Sequence, residues 1–123
     1  MTDTTETAKP ITWAGGQHPM TLNHPWVRAN LSIRGLPGDY GSTPAACLKR
    51  FNEALWSIDD MERVIELGLI GGGLSRRDAA DLVERFVRTR PLMENAPVAI
   101  TVLSMFFVQP TEPAPEVEGA DNG

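Results

Sequence analysis

After residue 43, hydrophobic side chains recur every three or four positions, which is the period of an amphipathic helix. Thr43 and Pro44 suit the N-cap and first turn of a helix that we predict over residues 44–56. Ser57 and Asp60 have the spacing of a capping box, so a second helix is predicted to follow and to end in a run of glycines. The apolar positions of these two helices are Leu48, Phe51 and Leu55, then Met61, Val64, Ile65 and Leu69.

The same pattern predicts two more helices. Ser75 and Asp78 repeat the capping arrangement, and Pro91 ends the third helix because the residue before a proline is disfavoured in helical conformation. A fourth helix is predicted to be capped by Asn95, to carry Pro97 in its first turn and to run to about residue 108. The third helix has the most regular apolar positions: Ala79, Leu82, Val83, Phe86 and Val87.

Before residue 43 the pattern is different. Residues 11–22 alternate around the pair Gly15-Gly16, which predicts a β-hairpin. Residues 23–43 fit either a short helix after Pro25 or an extended segment. The sequence therefore predicts a mainly α fold, a small bundle of about four helices with a short N-terminal β-hairpin. We expect one domain over residues 11–108, a disordered N-terminus over 1–10 and a disordered acidic tail over 109–123.

The distribution of charge restricts the possible partners. The net charge is −5, but residues 11–109 hold ten of the 11 basic and ten of the 16 acidic side chains. A neutral domain with acidic ends offers no extended basic surface to nucleic acid or anionic lipid. The apolar stretch before residue 109 is shorter than the roughly 20 residues of a membrane span. We therefore expect neither nucleic acid nor membrane as a partner.

Candidate chemistry is sparse. His18 and His24 are expected to be loop residues, and a metal site would need further ligands in a clear constellation. Cys47, the one cysteine, excludes an intrachain disulfide and fits a reducing cytosol; we interpret it as a small buried hydrophobe. Asp59 and Asp60 are explained by their capping position. We therefore predict a protein that is not an enzyme, with no catalytic, cofactor-binding or metal-binding residues.

The glycine run, Gly71, Gly72 and Gly73, admits three interpretations. A phosphate-binding loop would need a preceding strand and a lysine, and neither is present. A helix-turn-helix that binds DNA would use Arg76 and Arg77 at the start of the second helix. A tight elbow between two packed helices needs only the conformational freedom of glycine. We favour the elbow, and we expect a positive φ in at least one of the three glycines.

The DNA-binding alternative is weakened by acidic residues on the same helix. A carboxylate near the start of a helix repels phosphate, and basic residues near its end are explained by the helix dipole. The acidic positions are Asp78, Asp81 and Glu84, and the later basic positions are Arg85, Arg88 and Arg90.

The last predicted helix is apolar on all sides, so it is either a central core helix or a helix that faces a partner. By the 3.6-residue period, the stripe Val98, Val102, Met105 and the stripe Ile100, Leu103, Phe107 lie on different sides. A domain of this size would struggle to bury both. We therefore expect self-association, with partner-binding residues among Val102, Leu103, Phe106 and Phe107.

The order of these features resembles a known family. Residues 59–107, "DDMERVIELGLIGGGLSRRDAADLVERFVRTRPLMENAPVAITVLSMFF", are similar to the tail-assembly-chaperone-like proteins of gene transfer agents and tailed phages, which are also labelled tail tube proteins. The resemblance lies in the acidic pair Asp59-Asp60, the glycine run and the Arg90-Pro91-Leu92 stop. It also includes the hairpin with its tryptophan and glycine pair. Residues 23–56 depart from the pattern.

The resemblance implies a non-enzymatic role in tail morphogenesis. Such a protein would act as an assembly chaperone that covers the apolar tape-measure protein until tail tube subunits replace it. The alternatives are a structural component of the tail tube or, less favoured, a small helix-turn-helix DNA-binding protein. The resemblance also implies tape-measure and tail tube proteins as partners, and a location in the cytoplasm of a bacterial host or in the virion tail.

Overall fold

A computed structural model describes residues 8–108, which form a two-stranded hairpin and five helices. The helices are α1 (Pro25–Ile33), α2 (Pro44–Asn52), α3 (Ile58–Gly71), α4 (Arg76–Phe86) and α5 (Leu92–Val108). The predicted mainly helical class with an N-terminal hairpin is confirmed. The number of helices is five rather than four, because residues 23–43 contain a helix that the sequence pattern left open.

The hairpin pairs β1 (Lys9–Trp13) with β2 (Gly16–Met20) in antiparallel order. Pro10 lies opposite Pro19, so the two residues that have no N–H to donate face each other across the ladder. β1 begins at Lys9, within the segment predicted to be disordered. Residues 1–7 of that segment and the predicted tail over 109–123 lie outside the described residues.

The additional helix, α1, is capped by a histidine. The His24 Nδ1 accepts a hydrogen bond from the backbone N–H of Trp26 at 3.1 Å, and Pro25 occupies the first turn. Val27 and Leu31, four residues apart, are buried, whereas Trp26 and Ile33 are exposed. These two exposed apolar residues obscure the helical period in the sequence. His24 therefore lies just before the helix, outside regular structure as predicted, and serves as its N-cap.

Two predicted helix boundaries were wrong for local reasons. The helix α2 ends at Asn52 and not at residue 56, because Ala54 adopts a φ of 60° and Leu55 N–H donates to Arg50 C=O at 2.7 Å. The helix α5 begins at Leu92, so Asn95 lies inside it. The Asn95 side-chain amide instead donates to the Phe86 carbonyl at 2.9 Å, at the end of α4.

The remaining capping predictions are confirmed. Thr43 Oγ1 accepts from Ala46 N–H, and the Ser75 hydroxyl accepts from Asp78 N–H. Ser57 and Asp60 form a complete capping box, since each side chain bonds the backbone N–H of the other. Short-range capping chemistry thus determines where α2, α3 and α4 begin.

The centre of the domain is α3, which packs against α1, α4, α5 and β2. Its residues from Asp60 to Gly71 are buried except Glu62, Arg63 and Glu66, which are half-buried. A Cβ on Gly68 would lie 3.1 Å from Val102 Cγ1, which shows how closely α5 approaches α3. On the other side, the Trp13 ring of the hairpin meets the Phe86 ring of α4 edge-on at 6.4 Å.

A buried ion pair joins α2 to the start of α3. Arg50 binds both carboxylate oxygens of Asp60, at 2.8 and 2.7 Å, and also donates to the backbone carbonyls of Leu36, Asp39 and Gly41. These bonds use all five N–H groups of the guanidinium. Arg50 therefore fixes the loop between α1 and α2 as well as the pair of helices, a role that no short-range sequence pattern indicates.

Burial raises the pKa of Asp60, but the hydrogen bonds from Arg50 and Ser57, together with the Arg50 charge, outweigh burial, so the net pKa lies below the ordinary value. The hydrogen bond to Asp60 is in turn the main reason that the pKa of Arg50 is raised. Both side chains therefore stay charged at neutral pH.

Candidate protein interface

The end of the hairpin packs against the glycine run. A Cβ added to Gly71 would lie 1.9 Å from the Thr21 carbonyl oxygen, and one added to Gly72 would lie 1.8 Å from that of Pro19. Thr21 N–H also donates to the Gly68 carbonyl at 3.1 Å. Gly71 and Gly72 are thus required for close approach of backbone to backbone.

Gly73 makes the elbow. Its φ is 120°, the positive value that we expected of one of the three glycines, and the chain turns there from α3 towards α4. The N–H groups of Gly72 and Gly73 both donate to carbonyls of the last turn of α3. Because these donors are already bound, the run presents no cradle of free N–H groups to a phosphate.

The late arginines of the helix-turn-helix hypothesis are paired with acids. Arg85 binds Asp81 at 3.3 Å, Arg88 binds Glu62 at 3.1 Å and Arg90 binds Glu94 at 2.9 Å. The two early arginines behave differently: Arg76 lies over the Trp26 ring at 5.6 Å, and both Arg76 and Arg77 line a groove between α1, α3 and α4. The five arginines therefore do not form one basic stripe.

The predicted partner residues of α5 divide into two groups. Val102 and Leu103 are fully buried, so the prediction that they face a partner was wrong. The buried residues of α5 are Asn95, Ala96, Ala99, Val102 and Leu103, and the helix packs mainly against α3, with further contacts to α2 and β1. Each of the two stripes predicted for this helix mixed one buried residue with more exposed ones.

The other two predicted residues lie at the C-terminal end of α5. Phe106 is half-buried, with the Arg28 guanidinium 5.6 Å from its ring centre, and its ring meets that of Phe107 edge-on. Phe107 is 47% exposed and Val108 is 81% exposed. These two exposed apolar side chains are adjacent in the chain and end the described helix.

Phe107 also lines a groove between α2 and α5 of about 340 Å³, which we call the α2–α5 groove. Its other lining residues are Ala45, Leu48, Lys49, Asn52 and Glu53. Lys49 and Glu53 form an ion pair of 2.8 Å there. The groove therefore combines the apolar side chains of Ala45, Leu48 and Phe107 with an ion pair.

The remaining candidate side chains have structural partners. His18 lies in β2 and not in a loop as predicted, and its Nδ1 accepts from Trp13 Nε1 at 3.0 Å. Cys47 is buried, and burial, followed by the nearby Asp60 charge, raises the pKa of its thiol to about 12. Among residues 8–108, no three His, Cys, Asp or Glu side chains are grouped so that they could hold a metal ion. In the same part of the chain, no helix is long and apolar enough to span a membrane.

Comparison with known proteins gives one family. A family model described as "Phage tail tube protein, GTA-gp10" matches residues 7–109, which include every helix and both strands. No curated protein and no solved structure matches the chain. The family match extends over residues 23–56, where the sequence departed from the expected pattern.

Proposed function

Because the chain belongs to the phage tail tube protein, GTA-gp10 family, we propose that it is a structural component of the tail of a phage or gene transfer agent. The resemblance to the tail proteins of such particles is thereby confirmed. The observation that carries the proposal is the match over residues 7–109, which covers the whole described domain. We propose that the protein makes its contacts with other tail subunits, copies of itself included, and performs no catalysis.

We assign the contact to the end of α5 and the adjoining α2–α5 groove. Phe107 and Val108 expose apolar surface, and the lining of the groove continues that surface onto α2. Exposed aromatic side chains beside a groove are enriched where subunits meet. The buried residues Val102 and Leu103 support this contact by holding α5 against α3, without touching the partner.

An assembly chaperone for the tape-measure protein is the second candidate. The α2–α5 groove favours it to the extent that an apolar groove between two helices suits an amphipathic helix of another protein. The family description names the tail tube and therefore favours the structural component. The two functions differ in whether the protein remains in the finished particle.

Quantitative mass spectrometry of purified particles separates them. We expect the protein to be present in a fixed stoichiometry to the other tail proteins and to stay with the tails when they are detached from the heads. A protein that is abundant in the host cell during assembly but missing from finished particles would be a chaperone, and the structural proposal would be wrong.

The contact surface is tested with Phe107→Glu. A charge in the centre of an apolar contact should reduce self-association and incorporation into tails, with little change in helicity, because Phe107 is outside the core. Ile33→Glu is the matched control, since Ile33 is 84% exposed on α1. Analytical ultracentrifugation and circular dichroism measure the two properties. If the Phe107 variant self-associates as strongly as wild type and the Ile33 control do, this surface is ruled out.

A further inference from the structure

A second groove lies on a different side of α3, between α1, α3 and the start of α4. It has a volume of about 460 Å³. Trp26, Asn30 and Arg34 line it from α1 and its C-cap, and Arg63 and Glu66 line it from α3. Arg76 and Arg77 line it from α4. Four arginines against one glutamate give this groove, which we call the basic groove, a formal charge of +3.

The arginines of the basic groove differ from the others in the domain. Within residues 8–108, Arg50, Arg85, Arg88 and Arg90 each have a carboxylate within ion-pair distance. None of Arg34, Arg63, Arg76 and Arg77 forms an ion pair with a residue in that part of the chain, and Glu66 pairs with none of them. Of the six cations among residues 8–108 that have no ion pair there, four therefore line one groove, and the other two are Lys9 of β1 and Arg28 of α1.

Arg63 adds an unmet hydrogen bond to this arrangement. One of its terminal N–H groups donates to the Asn30 side chain at 3.2 Å, but its Nε is buried and has no acceptor among the described residues. A buried donor without an acceptor costs free energy, and a ligand oxygen is one acceptor that would satisfy it. A ligand with anionic oxygens would complement this donor and the four arginines, in a groove that also contains the Trp26 indole ring.

We propose that the basic groove binds the chain's own acidic C-terminal segment, residues 110–123. That segment contains Glu112, Glu116, Glu118 and Asp121 and no lysine or arginine, so its side-chain charge of −4 complements the groove. It also contains three prolines, a residue type that packs well on aromatic rings such as Trp26, which is 39% exposed.

The start of the segment is close enough to reach the groove. Phe106, near the end of α5, contacts Arg28 of α1, and α1 is also one wall of the basic groove. The nine residues of α1 measure about 13 Å along the helix axis. The 15 residues after Val108 span up to about 50 Å when extended, which is enough to pass around α1.

Nucleic acid fits this groove less well than an acidic peptide. Asp78, Asp81 and Glu84 follow Arg77 along the exposed face of α4, where they would repel a phosphate backbone running along that helix. A duplex also requires contacts to many successive phosphates, and the groove offers four arginines in one place. The inference does not depend on the proposed role in the tail, since it concerns contacts within one chain.

The test uses the full chain, labelled with ¹⁵N, and a variant in which the segment is neutral: Glu112→Gln, Glu116→Gln, Glu118→Gln and Asp121→Asn. We expect the Trp26 indole N–H, the Arg63 Nε–H and the backbone amides of Arg76 and Arg77 to shift between the two proteins. Raising the salt from about 20 mM to about 500 mM should move the wild-type signals towards those of the variant, because salt screens the ion pairs. Asp3→Asn with Glu6→Gln, which neutralises the other acidic end, is the matched control and should leave these signals in place.

Two results of the experiments on the segment would overturn the proposal. One is a neutral-segment variant whose groove signals equal those of wild type at low salt. The other is contact between different chains: in a mixture of ¹⁵N-labelled chains and unlabelled chains with a spin label on the segment, broadening of the groove signals would assign the groove to a second copy. A short DNA duplex is also added to the wild-type protein. If DNA binds at the groove, the ligand is nucleic acid and the proposal is wrong.

Discussion

Helices α3 and α5 are the two longest helices of the described chain, with 14 and 17 residues, and they are held in opposite ways. The start of α3 is bound by Arg50 through Asp60, and its end is enclosed by the hairpin at Gly71 and Gly72. Only one face of α5 is buried. Its first residues, Leu92 and Met93, and its last, Phe107 and Val108, are exposed.

This difference separates apolar composition from burial. The more apolar helix is α5, yet α3 is the central one, because position in the fold depends on which faces neighbouring elements cover. The surplus apolar residues of α5 are concentrated at its ends, where they are available to a partner. The α3 helix forms the centre of the domain, and the exposed end of α5 is where we propose the contact surface.

The largest effect is expected at the start of α3. Arg50→Ala removes one partner of a buried ion pair and leaves Asp60 charged without a partner, which should cost about 3–5 kcal/mol of folding free energy. Urea denaturation followed by circular dichroism measures it. Arg85→Ala, which breaks an exposed pair with Asp81, should cost about 1 kcal/mol or less. Similar losses in the two variants would mean that α3 is not fixed at its start.

The end of α3 should be nearly as sensitive. Gly72→Ala puts a methyl group against the Pro19 carbonyl, and since neither backbone can move freely, we expect a loss of about 3 kcal/mol. Gly73→Ala incurs the penalty of a positive φ, for which we expect about 1–2 kcal/mol. Thermal and urea unfolding of both variants compare the two costs. A Gly73 variant less stable than the Gly72 variant would contradict the tight seating of the hairpin.

Acid should weaken the start of α3 selectively. The pKa of Asp60 is lower in the folded state than in the unfolded state, so the ion pair stabilises the fold at pH values above the unfolded pKa of about 3.9. This contribution is lost as the pH falls through the lower, folded pKa. The stability difference between wild type and Asp60→Asn, measured by urea denaturation at a series of pH values, should therefore shrink below about pH 4. A difference that stays constant into that range would show that the pair does not titrate in this way.

The smallest effect on stability is expected at the end of α5. Phe107→Ala should change the free energy of unfolding by no more than about 0.5 kcal/mol, because the ring is outside the core. Leu103→Ala, four residues earlier on the buried face, should cost about 2–5 kcal/mol. Calorimetry of the two variants gives the comparison. A large loss in the Phe107 variant would place that ring in the core and remove it from the contact surface.

Much of the fold could be predicted from local chemistry. Thr43, Ser57 and Ser75 cap helices through bonds to residues three positions away, so their role is visible in any short window of sequence. The cap of α1 was missed because histidine is an unusual capping residue. The role of Asn95 was missed because its partner, Phe86, belongs to the preceding helix.

The candidate sites were less predictable. Phe107 could be named as a contact residue from the excess of apolar positions, but Val102 and Leu103 could not be distinguished from it without knowing which face α3 covers. Arg50 and Asp60 meet only after α2 and α3 have packed together. The basic groove is also a product of tertiary structure. Its arginines come from three separate helices, and no sequence pattern indicates that they lie together.

The packing of the hairpin against the glycine run has a consequence for folding during biosynthesis. The strands β1 and β2 are made first, yet their docking partners, Gly71, Gly72 and Phe86, are made much later. A two-stranded hairpin is marginally stable by itself in water. During translation the hairpin therefore remains undocked until α3 and α4 have left the ribosome, and we expect it to stay sensitive to proteases until then.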